Sequence, residues 1–245
     1  MTTKELKNII DTIIAEAFDT VQKMYSNKEV AHEIGNTSVA QIFPQYSTCR
    51  NYSAANITRV SEQELRYAFV NVLQKHCAGG KMFFSIETPT EGSYKFPKKD
   101  MPKIMKTGGQ SGNFDLVIHD EEFNRICLIE FKCNYPELNA FRKDFLKLAN
   151  PKEDRDEKEV LRYFIHLIVN YEKAKLTNRL KAVSKLIGEG LNKNVNYVLY
   201  SLCRDNKNDN TNIANDFSSD GEIGANADIK GFSLHWFDEK TKTII

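Results

Sequence analysis

No stretch of about 18 or more consecutive apolar residues occurs in this chain, which excludes a helix that spans a bilayer. An excess of one charge is also lacking: 34 Lys and Arg stand against 33 Asp and Glu, a formal net charge of +1. No global field therefore draws the chain to nucleic acid or acidic lipid, and contact with a polyanion has to come from a local basic patch. Cysteines are few and unpaired in pattern. Cys49, Cys77, Cys127, Cys133 and Cys203 are odd in number and form no C-x-x-C pair, which argues against a disulfide framework or a structural zinc. They read as small thiols in a reducing compartment. His32, His76, His119, His166 and His235 form no H-x-x-x-H pair and read as packing or surface residues. Asp11 and Glu16 interrupt the apolar stretch that a secretory leader would need. The expectation left by these absences is a soluble, cytoplasmic protein with one good core, a size class that buries roughly 70–75% of its unfolded surface.

Periodicity supplies the elements. KELKNIIDTIIAEAFDTVQKMY sets Leu6, Ile9, Ile10, Ile13, Ile14, Ala17, Phe18, Val21 and Met24 at helical spacing and predicts an amphipathic N-terminal helix. Its stripe packs on the same domain or, in the other reading, forms a homodimer. Residues 27–60 read as mostly irregular. SEQELRYAFVNVLQKHC predicts a helix with Ser61 as N-cap and Glu64 at capping-box spacing, burying Leu65, Ala68, Phe69, Val72 and Leu73. KMFFSIET suits a strand, followed by a polar, lysine-rich loop from Pro89 to Gly112. FDLVIH and RICLIEFKC, joined through Asp120 to Asn124, predict an antiparallel hairpin.

After Pro136 the pattern turns helical through FRKDFLKLA. Beyond an acidic break it predicts one long helical stretch, EVLRYFIHLIVNYEKAKLTNRLKAVSKLI. VNYVLYSLC reads as a buried strand, 204–230 as a mobile loop and GFSLHWF as a final strand. The fold expected is a single α/β domain. It comprises a helical and irregular extension over 1–60, a core over 61–203, and a loop with a last strand over 204–245.

FDLVIHDEEFNRICLIEFKC carries the chemistry. Side chains two apart on a strand share a face, so Glu130 and Lys132 project together, in line with Ile126 and Leu128. Asp115 opens the neighbouring strand, which brings it beside Glu130. Two carboxylates at the edge of an apolar sheet repel each other and are costly to bury. A divalent cation resolves that conflict, since carboxylate oxygens suit Mg²⁺. Such an ion polarises a phosphodiester and lowers the pKa of a bound water. The other reading of these three residues is a surface ion-pair cluster, worth about 0–1 kcal/mol per pair.

Asp115, a hairpin, then Glu130-Phe131-Lys132 resembles the PD-(D/E)XK nuclease superfamily, the restriction-endonuclease-like fold. The resemblance covers a little over half the chain and implies a central mixed β-sheet flanked by helices, with the N-terminal helix an addition. It implies metal ligation by Asp115, Glu130 and the backbone carbonyl of Phe131, with Lys132 as the catalytic lysine. Glu62, early in the first core helix, matches a glutamate many members carry there; Glu64 is its rival. Phe114 stands where the motif's name expects proline. The activity implied is hydrolysis of phosphodiester bonds in nucleic acid, most readily DNA, with Mg²⁺ or Mn²⁺. The alternative is a catalytically silent nuclease-like fold that binds nucleic acid or protein.

Substrate contacts are expected from Lys98, Lys99 and Lys103, in the loop that enters the motif strand, with Tyr94 and Phe96 available to stack on bases. Lys173, Lys175, Arg179, Lys181 and Lys185 read first as a solvated helix face. Glu87 reads as a solvated strand residue before a third ligand.

Overall fold

Apolar strands covered by helices on both faces build an eight-stranded sheet. The computed structural model describes residues 2–30, 45–46, 57–58, 60–77, 79–97, 100, 102–154, 159–169, 171–187, 194–202, 213, 216 and 232–245. In chain order the elements are α1 (Thr3–Val30), the paired strands β1 (Gln45–Tyr46) and β2 (Ile57–Thr58), α2 (Glu62–Cys77), β3 (Phe83–Lys95), β4 (Lys103–Met105), β5 (Gln110–His119) and β6 (Arg125–Cys133). They continue with α3 (Leu138–Ala149), β7 (Leu161–Val169), α4 (Lys173–Ile187), β8 (Val195–Leu202), β9 (Phe232–Asp238) and β10 (Thr243–Ile244). The sheet order is β10-β9-β8-β7-β6-β5-β3-β4. β3, β5 and β6 are antiparallel neighbours, whereas β6, β7, β8 and β9 run parallel.

Two cores result. On one face Leu116, Ile118, Cys127, Ile129 and Phe131 meet the apolar stripes of α1 and α2. On the other, Val117, Leu128, Phe164, Tyr197 and Leu199 meet Phe141, Phe145 and Leu148 of α3 and Leu176, Leu180 and Val183 of α4. The α1 stripe is thus buried within the chain, from Ile10 through Phe18 to Met24. A homodimer through this helix loses the apolar face it rested on. Thr2 and Glu5 close a reciprocal capping box at the start of α1, at 2.8 and 3.2 Å. The box expected at Ser61 and Glu64 does not form: among the described residues Ser61 Oγ and one Glu64 carboxylate oxygen are buried without a hydrogen-bond partner. No helix among the described residues is long and apolar enough to cross a membrane.

Three expectations are corrected. LRYFIHLIV is the strand β7, not the first part of a long helix, and α4 begins only at Lys173. β7 lies between two parallel neighbours and is covered on both faces. Its apolar run therefore has no alternation to tell it from a buried helix. The expected loop from Pro89 to Gly112 is largely strand, because β3 runs on to Lys95 and β4 pairs with it. Pro89 is tolerated since the β3–β5 ladder shifts between Pro89 and Ser93. The fully buried carboxylate of Glu153 accepts the N–H groups of Glu91 and Gly92 freed there, both at 2.9 Å. Ile126 packs on the α1/α2 core rather than in line with Leu128, because the β5–β6 ladder shifts next to it. The loop expected over 204–230 lies, apart from Ile213 and Asp216, outside the described residues.

Candidate active site

β6 leaves the core with its face toward α3 carrying Leu128, then Glu130, then Lys132. The last two are only 1% and 8% exposed. An ionised pair at such depth needs partners, and α3 supplies them. Asp144 and Lys147, one helical turn apart and ion-paired at 2.9 Å, point back at the strand. Lys132 Nζ lies 2.9 Å from Asp144 Oδ2, 3.1 Å from Glu62 Oε2 at the start of α2, and donates to the Phe131 carbonyl at 2.8 Å. Lys147 Nζ forms a close ion pair with Glu130 Oε1 and donates to the Asn113 carbonyl at 2.6 Å. Asp115, on β5, accepts the Phe131 N–H at 2.8 Å and has Arg66 3.8 Å away. Arg66 is held by Glu87 and Gln63, each at 2.6 Å.

These groups line a cleft of about 440 Å³, together with Phe96, Gln110, Ser111, Gly112, Asn113, Ala140 and Lys143. Its acids are Glu62, Glu87, Asp115, Glu130 and Asp144; its lysines are Lys132, Lys143 and Lys147. Negative charge is in surplus. Burial and then Asp144 raise the Glu130 carboxyl well above the usual range, and Lys147 pulls it down without cancelling them. Burial also raises Glu62, with Lys132 opposing and Asp115 adding to the rise. Burial alone would lower Lys132, but Asp144, Glu62 and Glu130 together lift it above the ordinary lysine range, so it stays an ammonium ion. Asp144 is raised by burial and pulled below its usual value by Lys147 and Lys132.

The sequence-predicted Glu62, Asp115, Glu130 and Lys132 are thus brought to one cleft. The Phe131 carbonyl accepts from Lys132, although Phe131 itself does not line the cleft. Among the described residues no three Asp, Glu, His or Cys side chains are arranged to cage a metal ion, because the two lysine amines stand between the carboxylates. Glu87 lines the cleft at φ 51°, more than half exposed and paired to Arg66. Lys103 does not line it: the residue sits exposed on β4, the last strand of the sheet, where lysine discourages further pairing. Lys98 and Lys99 lie outside the described residues. Phe96 lines the cleft, but Tyr94 stacks on its ring and Lys143 lies over it. Lys173 and Lys175 pair with Asp216 and Glu172, and Arg179 donates to the Pro136 carbonyl.

Asp144 and Lys147 were not anticipated from sequence. A signal existed for one of them: Asp144 sits at the i+3 position of the stripe Phe141, Phe145, Leu148, where an apolar residue would ordinarily stand. Comparison with protein-family models, with curated proteins and with solved structures finds no match to this chain.

Proposed function

We propose that this protein is a metal-dependent nuclease that hydrolyses phosphodiester bonds in nucleic acid, most readily DNA, with a site of the PD-(D/E)XK type. The observation that carries the reading is the buried cleft at the end of β6, where Lys132 is bonded to Glu62 and Asp144 while Asp115 and Glu130 face the same space. The antiparallel run β3, β5, β6 followed by a helix and a parallel β7 supports it as well, being similar to that superfamily's core. The donor chemistry fits Mg²⁺ or Mn²⁺: all candidate ligands are hard oxygens, and the cleft is lined by five acids against three lysines.

Asp115, Glu130 and the Phe131 carbonyl would hold the ion. When bound, it supplies Lewis-acid stabilisation of the phosphoryl oxygens and a more acidic water. The protein does the rest. Lys132 remains protonated and so acts as a cation beside the scissile phosphate, not as a base. Glu62, its carboxyl raised, is fitted to orient the attacking water and take its proton. The water oxygen bonds to phosphorus, the bond to the leaving sugar oxygen breaks, and that oxygen takes a proton from solvent. Asp144 keeps Lys132 in place.

A second reading, a nuclease-like fold that binds without cleaving, is favoured by one observation. Lys147 already neutralises Glu130, and Lys132 already fills the Phe131 carbonyl. The two separate on incubation with Mn²⁺ and labelled linear, circular, single-stranded and RNA substrates, with Lys132→Met run alongside. Cleavage by the parent that falls on the order of 10³-fold in the variant, as for loss of one preorganised charge contact, establishes the nuclease. Equal cleavage by both marks a contaminant. Binding without cleavage by either favours the second reading.

A further inference from the structure

We infer that Lys147 is an internal cation that holds the metal position of this cleft, so that loading requires its amine to leave Glu130. The inference rests on the nuclease reading and adds to it a residue that sets when the site is filled.

Three observations carry it. Lys147 Nζ makes its closest contact with Glu130, the more deeply buried of the two expected carboxylate ligands, and no other described cation stands as close to that carboxylate. An ammonium and a divalent ion cannot share one carboxylate at contact distance without strong repulsion in a site of low dielectric. Next, the amine has somewhere to go. Asp144 Oδ1 at 2.9 Å and the Asn113 carbonyl at 2.6 Å already accept from it. It can therefore give up Glu130 and remain paired. Asp144 is bonded to Lys132 as well, so the same acid steadies both lysines through the change.

The third observation is the room made for the stem. A Cβ at Gly112 would stand 2.9 Å from Lys147 Cδ, closer than real side chains approach, so the lysine stem would have to shift. Glycine at 112 leaves the path by which a helix-borne lysine reaches across β5 to the foot of β6. Lys147 is thus a positioning residue whose charge competes with the ion. Weak resting affinity follows, and a phosphate entering the cleft offers the displaced ammonium a new partner.

Calorimetric titration with Mn²⁺ alone tests this on the full chain, comparing the parent with Lys147→Met, Lys147→Gln, Gly112→Ala and Glu130→Gln. Thermal melts show which variants are folded. The expected result is that Lys147→Met and Lys147→Gln bind Mn²⁺ at least ~10-fold tighter than the parent. Gly112→Ala, which keeps every charge but displaces the stem, should bind several-fold tighter, and Glu130→Gln should lose binding. A purely structural lysine would give equal or weaker binding on removal. If Lys147→Met and Lys147→Gln bind no tighter while Glu130→Gln abolishes parental binding, the role assigned to Lys147 is wrong and the metal site stands. If no protein in the set binds Mn²⁺, the metal reading itself fails and the inference with it. Should Lys147→Met not fold, the Gln variant, which keeps a hydrogen-bond donor, and Gly112→Ala decide.

Discussion

The two faces of β6 are built from one nine-residue strand and obey opposite rules. Toward α1 and α2, Cys127, Ile129 and Phe131 are fully buried among apolar neighbours, and Phe131 packs edge-on to Phe69 with ring centroids 5.3 Å apart. Toward α3, Leu128 is followed by Glu130 and Lys132, nearly as deep but charged. Burial on the first face stabilises the fold in proportion to the apolar area removed from water. Burial on the second is offset by desolvation and recovered only through ion pairs, a geometry that often breaks even or worse for stability. β6 accepts this cost on one face alone, and the opposite face keeps the apolar burial that stabilises the fold.

Breaking the dry face should have the largest effect on stability. Phe131→Ala removes a fully buried ring and should cost about 3–5 kcal/mol in urea melts; a loss below about 1 kcal/mol would show that this face is not the structural one. The charged face should instead reveal itself through pH. His166 lies on β7 beside Lys132 in the ladder, with Nδ1 2.6 Å from Tyr197 Oη and Nε2 on the Asn134 carbonyl. Burial lowers it from 6.5 to about 3. The folded state thus binds its proton less readily than the unfolded state. Stability is full above about pH 6.5 and declines as pH falls toward about 3, by at most about 1.4 kcal/mol per unit. His166→Gln should flatten that part of the pH profile, and an unchanged slope would assign the acid sensitivity to other groups.

A subtler separation comes from Glu130→Gln. A carboxyl raised in the folded state contributes stability below its unfolded value and loses it as pH rises through the folded one, so the charged form of Glu130 is the one that burial disfavours in the metal-free fold. The variant should melt at the same temperature or about 2–4 °C higher, roughly 1 kcal/mol at this size. A lower melting temperature would mean that the Lys147 pair stabilises more than the buried charge costs. The smallest difference is expected among the surface lysines. Lys143, which lines the cleft, should weaken nucleic-acid affinity when changed to Ala, by about tenfold or less for one phosphate contact at moderate salt. Lys103→Ala, on the far edge strand, should leave affinity unchanged in the same anisotropy titration.

The hairpin was legible because its signals are local. Period-two spacing put Glu130 and Lys132 on one face, and a five-residue connection that Asp120 closes with its own carboxylate brought β5 back alongside. Glu62 was legible as a first-turn acid, although only packing of α2 decided that it, and not Glu64, reaches Lys132. β7 was not legible, since a strand covered on both faces carries no alternation. The continuation of β3 past Pro89 was hidden for another reason. It depends on a bulge whose free N–H groups are satisfied by Glu153, some sixty residues later.

By itself the sequence determined which short segments would be amphipathic, where the hairpin turns, and that Asp115, Glu130 and Lys132 would share one end of a sheet. Those outcomes depend on φ/ψ preferences and side-chain periods that act over a few residues. Only the tertiary structure decided that α3 would dock with Asp144 and Lys147 facing β6, and that Gly112 would leave room for the Lys147 stem. The upward shift of the Glu130 carboxyl belongs there too. Helix docking is set by the fit of two apolar surfaces across the sheet, and the electrostatics of a buried carboxylate depend on every charge that docking brings within a few ångströms.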